Sequence, residues 1–127
     1  MRRRRLLQAA ASFVPAMPFV ARAADNGVTS TEIRIGSTAA YSGPASAYGV
    51  IGRAHTATWD WFNAQGGVNG RKIRQIMLDD GYNPAKTVEQ VRRLVEQDGV
   101  AFLFNPLGTP QNSAIQKYMN QRKVPQL

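Results

Sequence analysis

The sequence predicts an α/β fold in which helices flank a parallel β-sheet. Segments with the two-residue period of strands alternate along the chain with segments of helical period. The strand-like segment at residues 100–104 is continuously apolar, as expected of a central strand covered on both faces. Glycine, proline and asparagine occupy the connections. This alternating order favours parallel strands joined by right-handed crossovers.

The first strand and the first helix are predicted before residue 66. Residues 33–36, Ile-Arg-Ile-Gly, alternate in the strand period, and a loop rich in turn formers follows them. Apolar residues recur at helical spacing over residues 47–65, where Gly66-Gly67 provides a stop. Two residues apart on this helix, Trp59 and Trp61 cannot share a face, so we expect Trp61 in the core and Trp59 half exposed.

The remaining elements follow from turn signals and periodicity. Asn69-Gly70 is a two-residue turn signal that introduces the second strand. Pro84 suits the first turn of the second helix, and Gly99 ends that helix. The predicted elements are a strand at 73–80, a helix from 84, a strand at 100–104, a helix at 111–122 and a fourth strand from Val124 onward.

The first 23 residues have the pattern of an export signal. Four arginines at positions 2–5 precede an apolar run at 6–20, and Ala21-Arg22-Ala23 offers small residues for cleavage. The sequence therefore predicts a signal peptide at 1–23, cleavage near Ala23, export of the chain and a domain at 24–127. The arginine run fits both twin-arginine and general secretory export, so the route stays open.

The charge of the chain does not indicate a nucleic-acid partner. Five of the 16 basic residues fall within the first 22 positions, which leaves eleven against eight acidic residues in the predicted mature domain. The remaining clusters at 71–74 and 92–93 are interleaved with acids and lack aromatic partners for base stacking. The chain has no cysteine, which excludes disulfides, thiolate metal sites and a cysteine nucleophile.

The loops do not carry the residues of a known catalytic or cofactor site. The loop after the first strand has neither a P-loop nor a dinucleotide pattern, and Gly43-Pro44 is interpreted as a tight turn. His55 lacks a second histidine or a carboxylate pair and is interpreted as packed or solvated. Asp79-Asp80 is interpreted as capping the following loop and helix. We therefore predict no metal, no cofactor and no enzymatic activity.

The loop after the third strand is the candidate binding loop. Parallel sheets bind ligands at the carboxyl ends of their strands. There, the Thr109 hydroxyl and backbone N–H groups near a helix N-terminus would suit a carboxylate, and Gly108 would permit close approach. The alternative is that Thr109 caps the third helix.

Three stretches together resemble the periplasmic-binding-protein family of leucine, isoleucine and valine receptors. They are EIRIGSTAAYSGPASAYG, NAQGGVNGRKIRQIMLDDGYNPAKTVEQVRRLV and FLFNPLGTPQNSAIQKY. The resemblance implies a truncated, Rossmann-like first lobe of a two-lobed solute-binding protein. Such a protein closes on an amino acid or related small carboxylate or amide and then docks on the membrane permease of an ABC transporter.

The resemblance also implies four ligand-binding residues. By position, Tyr48 matches the aromatic residue that borders the ligand side chain, and Leu107, Gly108 and Thr109 match the loop after the third strand. Some leucine receptors have a serine-rich loop where this chain has Leu107-Gly108-Thr109-Pro110, which leaves other carboxylates, amides and aromatic compounds open as ligands. A ligand-sensing domain of a signalling or regulatory protein with the same fold is the alternative function, and a flavodoxin-like enzyme is a third.

Overall fold

The computed structural model describes residues 26–127, so the predicted signal peptide and the start of the mature chain lie outside the described residues. The strands are β1 (Glu32–Ala39), β2 (Lys72–Asp79) and β3 (Phe102–Leu103). The helices are α1 (Gly49–Ala64), α2 (Pro84–Glu96) and α3 (Thr109–Arg122), and a short 3-10 helix (Ser46–Tyr48) precedes α1. The predicted element order is confirmed, although β3 is shorter than the apolar run that predicted it.

The sheet is parallel and has β1 at its centre. Its order is β2-β1-β3, and both neighbouring pairs run parallel. The segment after α3 extends the sheet through a single parallel bridge between Leu103 and Gln126, where the Leu127 N–H donates to Leu103 O at 3.0 Å. The predicted fourth strand therefore pairs in the expected direction, over fewer residues than an ordinary strand.

The hydrophobic core lies on the face of the sheet covered by α2 and α3. It consists of fully buried or nearly fully buried side chains from both helices, from β3 and from the segment just before β3, namely Val91, Leu94, Val100, Leu103, Ile115 and Met119. Ile76 and Leu78 of β2 pack against this cluster. The amphipathic pattern predicted for α2 is confirmed, because Val91 and Leu94 face inward.

Helix α1 presents a different face to the sheet from the one that its apolar pattern predicts. Trp61 is 64% exposed, whereas Trp59 is half-buried and packs edge-on against Phe104 with ring centroids 5.3 Å apart. The prediction of Trp61 as core was wrong. Two local features set the rotation of the helix. The Asn63 side chain donates to Ile73 O and accepts from the Ile73 N–H, each at 2.7 Å. Gly52 has no Cβ, and a Cβ at this position would lie 2.2 Å from the Tyr41 hydroxyl oxygen.

Asn83 and Pro84 stabilise the start of α2. Asn83 is the N-cap residue, and its side-chain oxygen accepts hydrogen bonds from the N–H groups of Ala85 (2.9 Å) and Lys86 (3.3 Å). Pro84 occupies the first helical position, where an N–H has no intrahelical partner. None of the helices within residues 26–127 combines the length and the apolar character needed to cross a membrane.

Candidate ligand-binding site

The loops that follow the three strands meet at one edge of the sheet, here called the carboxyl edge. All three strands are parallel, so their carboxyl ends lie together. The Leu107 N–H donates to Thr38 O at 3.2 Å and joins the third loop to the end of β1. A Cβ at Gly43 would lie 3.3 Å from Gly81 O, so the first and second loops are also in contact.

The carboxylate of Asp79 holds the first two loops together. One oxygen accepts from the N–H groups of Tyr41 (2.9 Å), Ser42 (3.2 Å) and Gly81 (3.0 Å), and the other accepts from the Ser42 hydroxyl (2.5 Å). Lys86 Nζ lies 3.7 Å away. The Ser42 hydroxyl bond, followed by the backbone bonds, lowers the pKa of Asp79 well below its ordinary value although partial burial opposes the change.

The second carboxylate of the pair, Asp80, is fully buried and serves the second loop. It accepts from the Tyr82 N–H at 2.9 Å and from the Thr87 hydroxyl at 2.7 Å. The two aspartates therefore bind loop backbone and neighbouring hydroxyls, as the capping interpretation expected for the loop. The N-cap of α2 itself is Asn83.

The third loop places its predicted binding residues at the start of α3. Gly108 is the N-cap residue with φ of 107°, and Thr109 is the first residue of the helix. No side chain caps this end of α3, so the alternative role of Thr109 as a cap was wrong. Thr109 is exposed, and its hydroxyl has no hydrogen bond within the part of the chain that the structure describes. Leu107 is half-buried.

Gly108 is restricted to glycine by its neighbours as well as by its backbone. A Cβ at this position would lie 2.0 Å from Gln111 Oε1 and 2.9 Å from Tyr82 Cε2. Gln111 is fully buried, and Tyr82 is 40% exposed. The sequence-based reasoning missed both residues. The short spacing from Gly108 to Gln111 was visible in the sequence, but the approach of Tyr82 depends on how two loops fold.

Tyr48, the fourth predicted binding residue, lies at the N-cap of α1 and is 56% exposed. It follows the first loop and so belongs to the carboxyl edge. Within residues 26–127, neither a hydrogen bond nor a ring contact joins it to Leu107, Gly108 or Thr109. Leu107, Gly108 and Thr109 lie together in the third loop. The participation of Tyr48 with them in binding stays a prediction.

The single histidine is packed, in line with its interpretation from the sequence. The His55 ring meets Phe104 edge-on with centroids 5.4 Å apart, and its Nε2 lies 3.2 Å from Asn105 Nδ2. Among residues 26–127, no three histidine or carboxylate side chains cluster in a way that could hold a metal ion.

An open groove of about 670 Å³ adjoins the third loop on the side away from β1. It runs from Asn105 and Thr109 along α3 to Leu127 and is lined mainly by polar side chains of that helix. Neither Tyr48 nor Gly108 lines it. Among the four predicted binding residues, Thr109 alone lines the groove, so the groove meets the predicted binding position at that residue.

Parallel α/β units commonly bind small molecules at the carboxyl ends of their strands, where this chain gathers hydroxyl and backbone groups. Comparison with known proteins identifies the family. The model of the periplasmic binding protein family matches residues 32–127. The chain belongs to this family, whose members bind solutes and are not enzymes, so the predicted fold class and the absence of enzymatic activity are both confirmed.

Individual relatives agree with the family assignment. The Leu/Ile/Val-binding protein BraC3 of Rhizobium johnstonii is 36% identical over 78 residues, which are 60% of this chain and 21% of BraC3. The substrate-binding protein LivJ of Streptococcus pneumoniae, solved with isoleucine, superposes with a TM-score of 0.70 at 26% identity, over 76% of this chain and 28% of LivJ. A fatty acid ABC transporter substrate-binding protein of Thermomonospora curvata gives 0.67 at 28% identity, over 78% and 26%. The chain thus spans about a quarter of these proteins.

Proposed function

We propose that this chain forms part of the first lobe of an exported solute-binding protein. In this proposal residues 1–23 are a signal peptide cleaved near Ala23, and residues 24–127 belong to the lobe in the periplasm. The protein captures a branched-chain amino acid, or a related small carboxylate or amide, and delivers it to the membrane permease of an ABC importer. The names of the relatives support an amino acid or another carboxylate as the ligand.

The observation that carries the proposal is the arrangement of Gly108 and Thr109 at the start of α3. The first N–H groups of a helix have no intrahelical partner, and the helix dipole favours a negative charge at this end. The unpaired Thr109 hydroxyl adds a donor beside these N–H groups. A solute carboxylate therefore finds several donors in one place.

The exposed ring of Tyr48 completes the proposed site. Its position at the N-cap of α1 places an aromatic side chain beside the first loop, where 56% of it is available for contact. An aromatic surface near a carboxylate site selects solutes that carry an apolar group. We therefore assign Tyr48, Leu107, Gly108 and Thr109 to ligand binding.

Calorimetry on the full-length protein that the reading frame encodes tests the proposal. The panel contains leucine, isoleucine, valine, phenylalanine, alanine, a short fatty acid and an amide. We expect at least one apolar carboxylate to bind, and Thr109→Val, which removes the hydroxyl at nearly constant shape, to weaken that binding about tenfold, as expected for a hydrogen bond to a charged group.

The matched control is Thr58→Val on the exposed surface of α1. The Thr58 hydroxyl donates within its own helix, to Ala54 O at 2.8 Å, and lies away from the carboxyl edge. Its replacement is expected to leave affinity unchanged. If the wild-type protein binds no member of the panel, the proposed function is wrong. If both threonine variants bind like the wild type, Thr109 has no role in binding.

A further inference from the structure

The second loop of the carboxyl edge holds a tyrosine in a backbone conformation that tyrosine seldom adopts. Tyr82 has φ of 61°, in the left-handed region that favours glycine and asparagine. The buried Asp80 enforces this conformation, because its side chain accepts from the Tyr82 N–H at 2.9 Å and its carbonyl accepts from the Asn83 N–H at 3.0 Å. Strained residues of this kind concentrate at binding and active sites.

The Tyr82 ring lies directly against the proposed carboxylate site. Its Cε2 atom is 2.9 Å from the place where a Cβ of Gly108 would be, so the ring edge contacts the residue before Thr109. The residue is nevertheless 40% exposed, so Tyr82 remains accessible at the carboxyl edge. A solute held at Gly108 and Thr109 would therefore have the ring beside it.

Tyr82 also lies near a buried polar group that has no partner. The Gln111 amide approaches the same point beside Gly108, with Oε1 2.0 Å from it, so the ring and the amide are neighbours. Gln111 is fully buried, and neither its Oε1 nor its Nε2 forms a hydrogen bond within residues 26–127. Burying an unpaired amide is unfavourable.

The backbone strain depends on the residue at position 82. Glycine would adopt the observed backbone without strain. A tyrosine at this position therefore lowers the stability of the folded chain. Residues that lower stability are expected where they serve a function. We therefore expect the tyrosine ring at position 82 to have a function that glycine or asparagine could not perform.

We propose that Tyr82 is a ligand-contacting residue that determines specificity, through a ring that lies against the apolar part of the solute whose carboxylate is bound at Gly108 and Thr109. This inference rests on the proposed function. A planar aromatic surface favours branched aliphatic or aromatic groups by dispersion and by burial of apolar area. The site accordingly prefers carboxylates with such groups over alanine.

The test compares Tyr82→Gly with Lys123→Gly in the full-length protein. Lys123 has φ of 56° at the C-cap of α3 and is exposed, so glycine relieves the same backbone strain there, away from the carboxyl edge. Affinities for leucine, phenylalanine and alanine are measured by calorimetry, and the midpoint of thermal unfolding (Tm) is measured for each variant. Tyr82→Phe is included because it keeps the ring.

We expect Tyr82→Gly to lose about tenfold in affinity for leucine and phenylalanine relative to alanine, with Tm unchanged or raised. Lys123→Gly should leave Tm unchanged or raised and should bind all three solutes like the wild type, as should Tyr82→Phe.

Three results would overturn the inference. If the affinity ratio of leucine to alanine is unchanged in Tyr82→Gly, the ring does not contact the solute. If Tm falls together with affinity for all three solutes, the ring serves packing only. If the wild-type protein binds none of the three solutes or the other panel members, the proposed function fails first, and the inference fails with it.

Discussion

A single carboxylate organises the carboxyl edge at the scale of one residue. Asp79 accepts four hydrogen bonds, three of them from the first loop, although Tyr41 and Asp79 are separated by 38 positions in the sequence. Charge-assisted bonds of this kind are stronger than bonds between neutral groups. The position of the first loop, and through it that of Tyr48, therefore depends on the ionised form of Asp79.

This dependence predicts a loss of stability in acid. Because the pKa of Asp79 is lower in the folded chain than in the unfolded one, its contribution is complete above the ordinary carboxyl pKa of about 4 and is lost as pH falls through the folded value. We expect Asp79→Asn to destabilise the chain by about 1–2 kcal/mol at pH 7 and to unfold with a shallower decrease of Tm below about pH 4. Thermal unfolding monitored by circular dichroism between pH 2 and pH 7 measures both effects.

The control for Asp79 is Asp60→Asn. Asp60 is exposed on α1, and its side chain forms neither a hydrogen bond nor an ion pair within residues 26–127. Its replacement should leave both the Tm at pH 7 and the slope in acid close to those of the wild type. Equal acid slopes for the wild type and Asp79→Asn would contradict the role of Asp79.

The sequence predicted part of this chemistry. Two aspartates at a strand end beside Gly81 and Asn83 are typical of loop capping, and the structure shows that use. Tyr82 could not be found in this way, because turn propensities assign left-handed backbone to glycine and asparagine. The burial of Gln111 was equally hidden, since glutamine at a helix start is usually exposed.

At the scale of elements, periodicity predicted where the helices lie better than which way they face. The stripe of α1 that includes Val50 and Trp61 has helical spacing, yet both side chains are exposed. The inward face instead contains Gly52, Trp59 and Asn63. Paired hydrogen bonds to a strand backbone and a close glycine contact outweigh a modest difference in apolar content, and neither is encoded in the spacing of apolar residues.

This orientation of α1 predicts unequal effects for its two tryptophans. Trp59→Ala removes the contact with Phe104 and should destabilise the 127-residue chain by about 2 kcal/mol. Trp61→Ala changes an exposed side chain and should alter the free energy of unfolding by less than about 0.5 kcal/mol. Urea denaturation followed by tyrosine fluorescence or circular dichroism measures the difference. A larger loss for Trp61→Ala would restore the orientation that the apolar pattern suggested.

At the scale of the molecule, the proposed function makes the carboxyl edge one side of a cleft between two lobes. The relatives are about four times longer than the matched part of this chain. Small-molecule sites usually bury most of the surface of the solute, whereas the carboxyl edge of this chain alone would bury much less of it. We therefore expect the 127-residue chain to bind solute on the order of 100-fold more weakly than the full-length protein, measured by calorimetry under matched conditions.

The sheet edge at residues 124–127 predicts a second property of the 127-residue chain. The segment at 124–127 pairs with β3 through a single bridge, which leaves backbone groups open at that side of the sheet. We expect the 127-residue chain to self-associate with increasing concentration in light scattering. Tight solute binding by a monomeric 127-residue chain would contradict both expectations.

The central place of β1 in the sheet determines the order in which the unit can be completed. Glu32–Ala39 pairs on one side with Lys72–Asp79 and on the other with Phe102–Leu103. Of the three described strands, β1 is synthesised first, and each of its pairings must close a long stretch of chain. Until residues 72–79 and 102–103 have been made, both edges of β1 lack their partners, and unpaired strand edges are sites where extended chains associate.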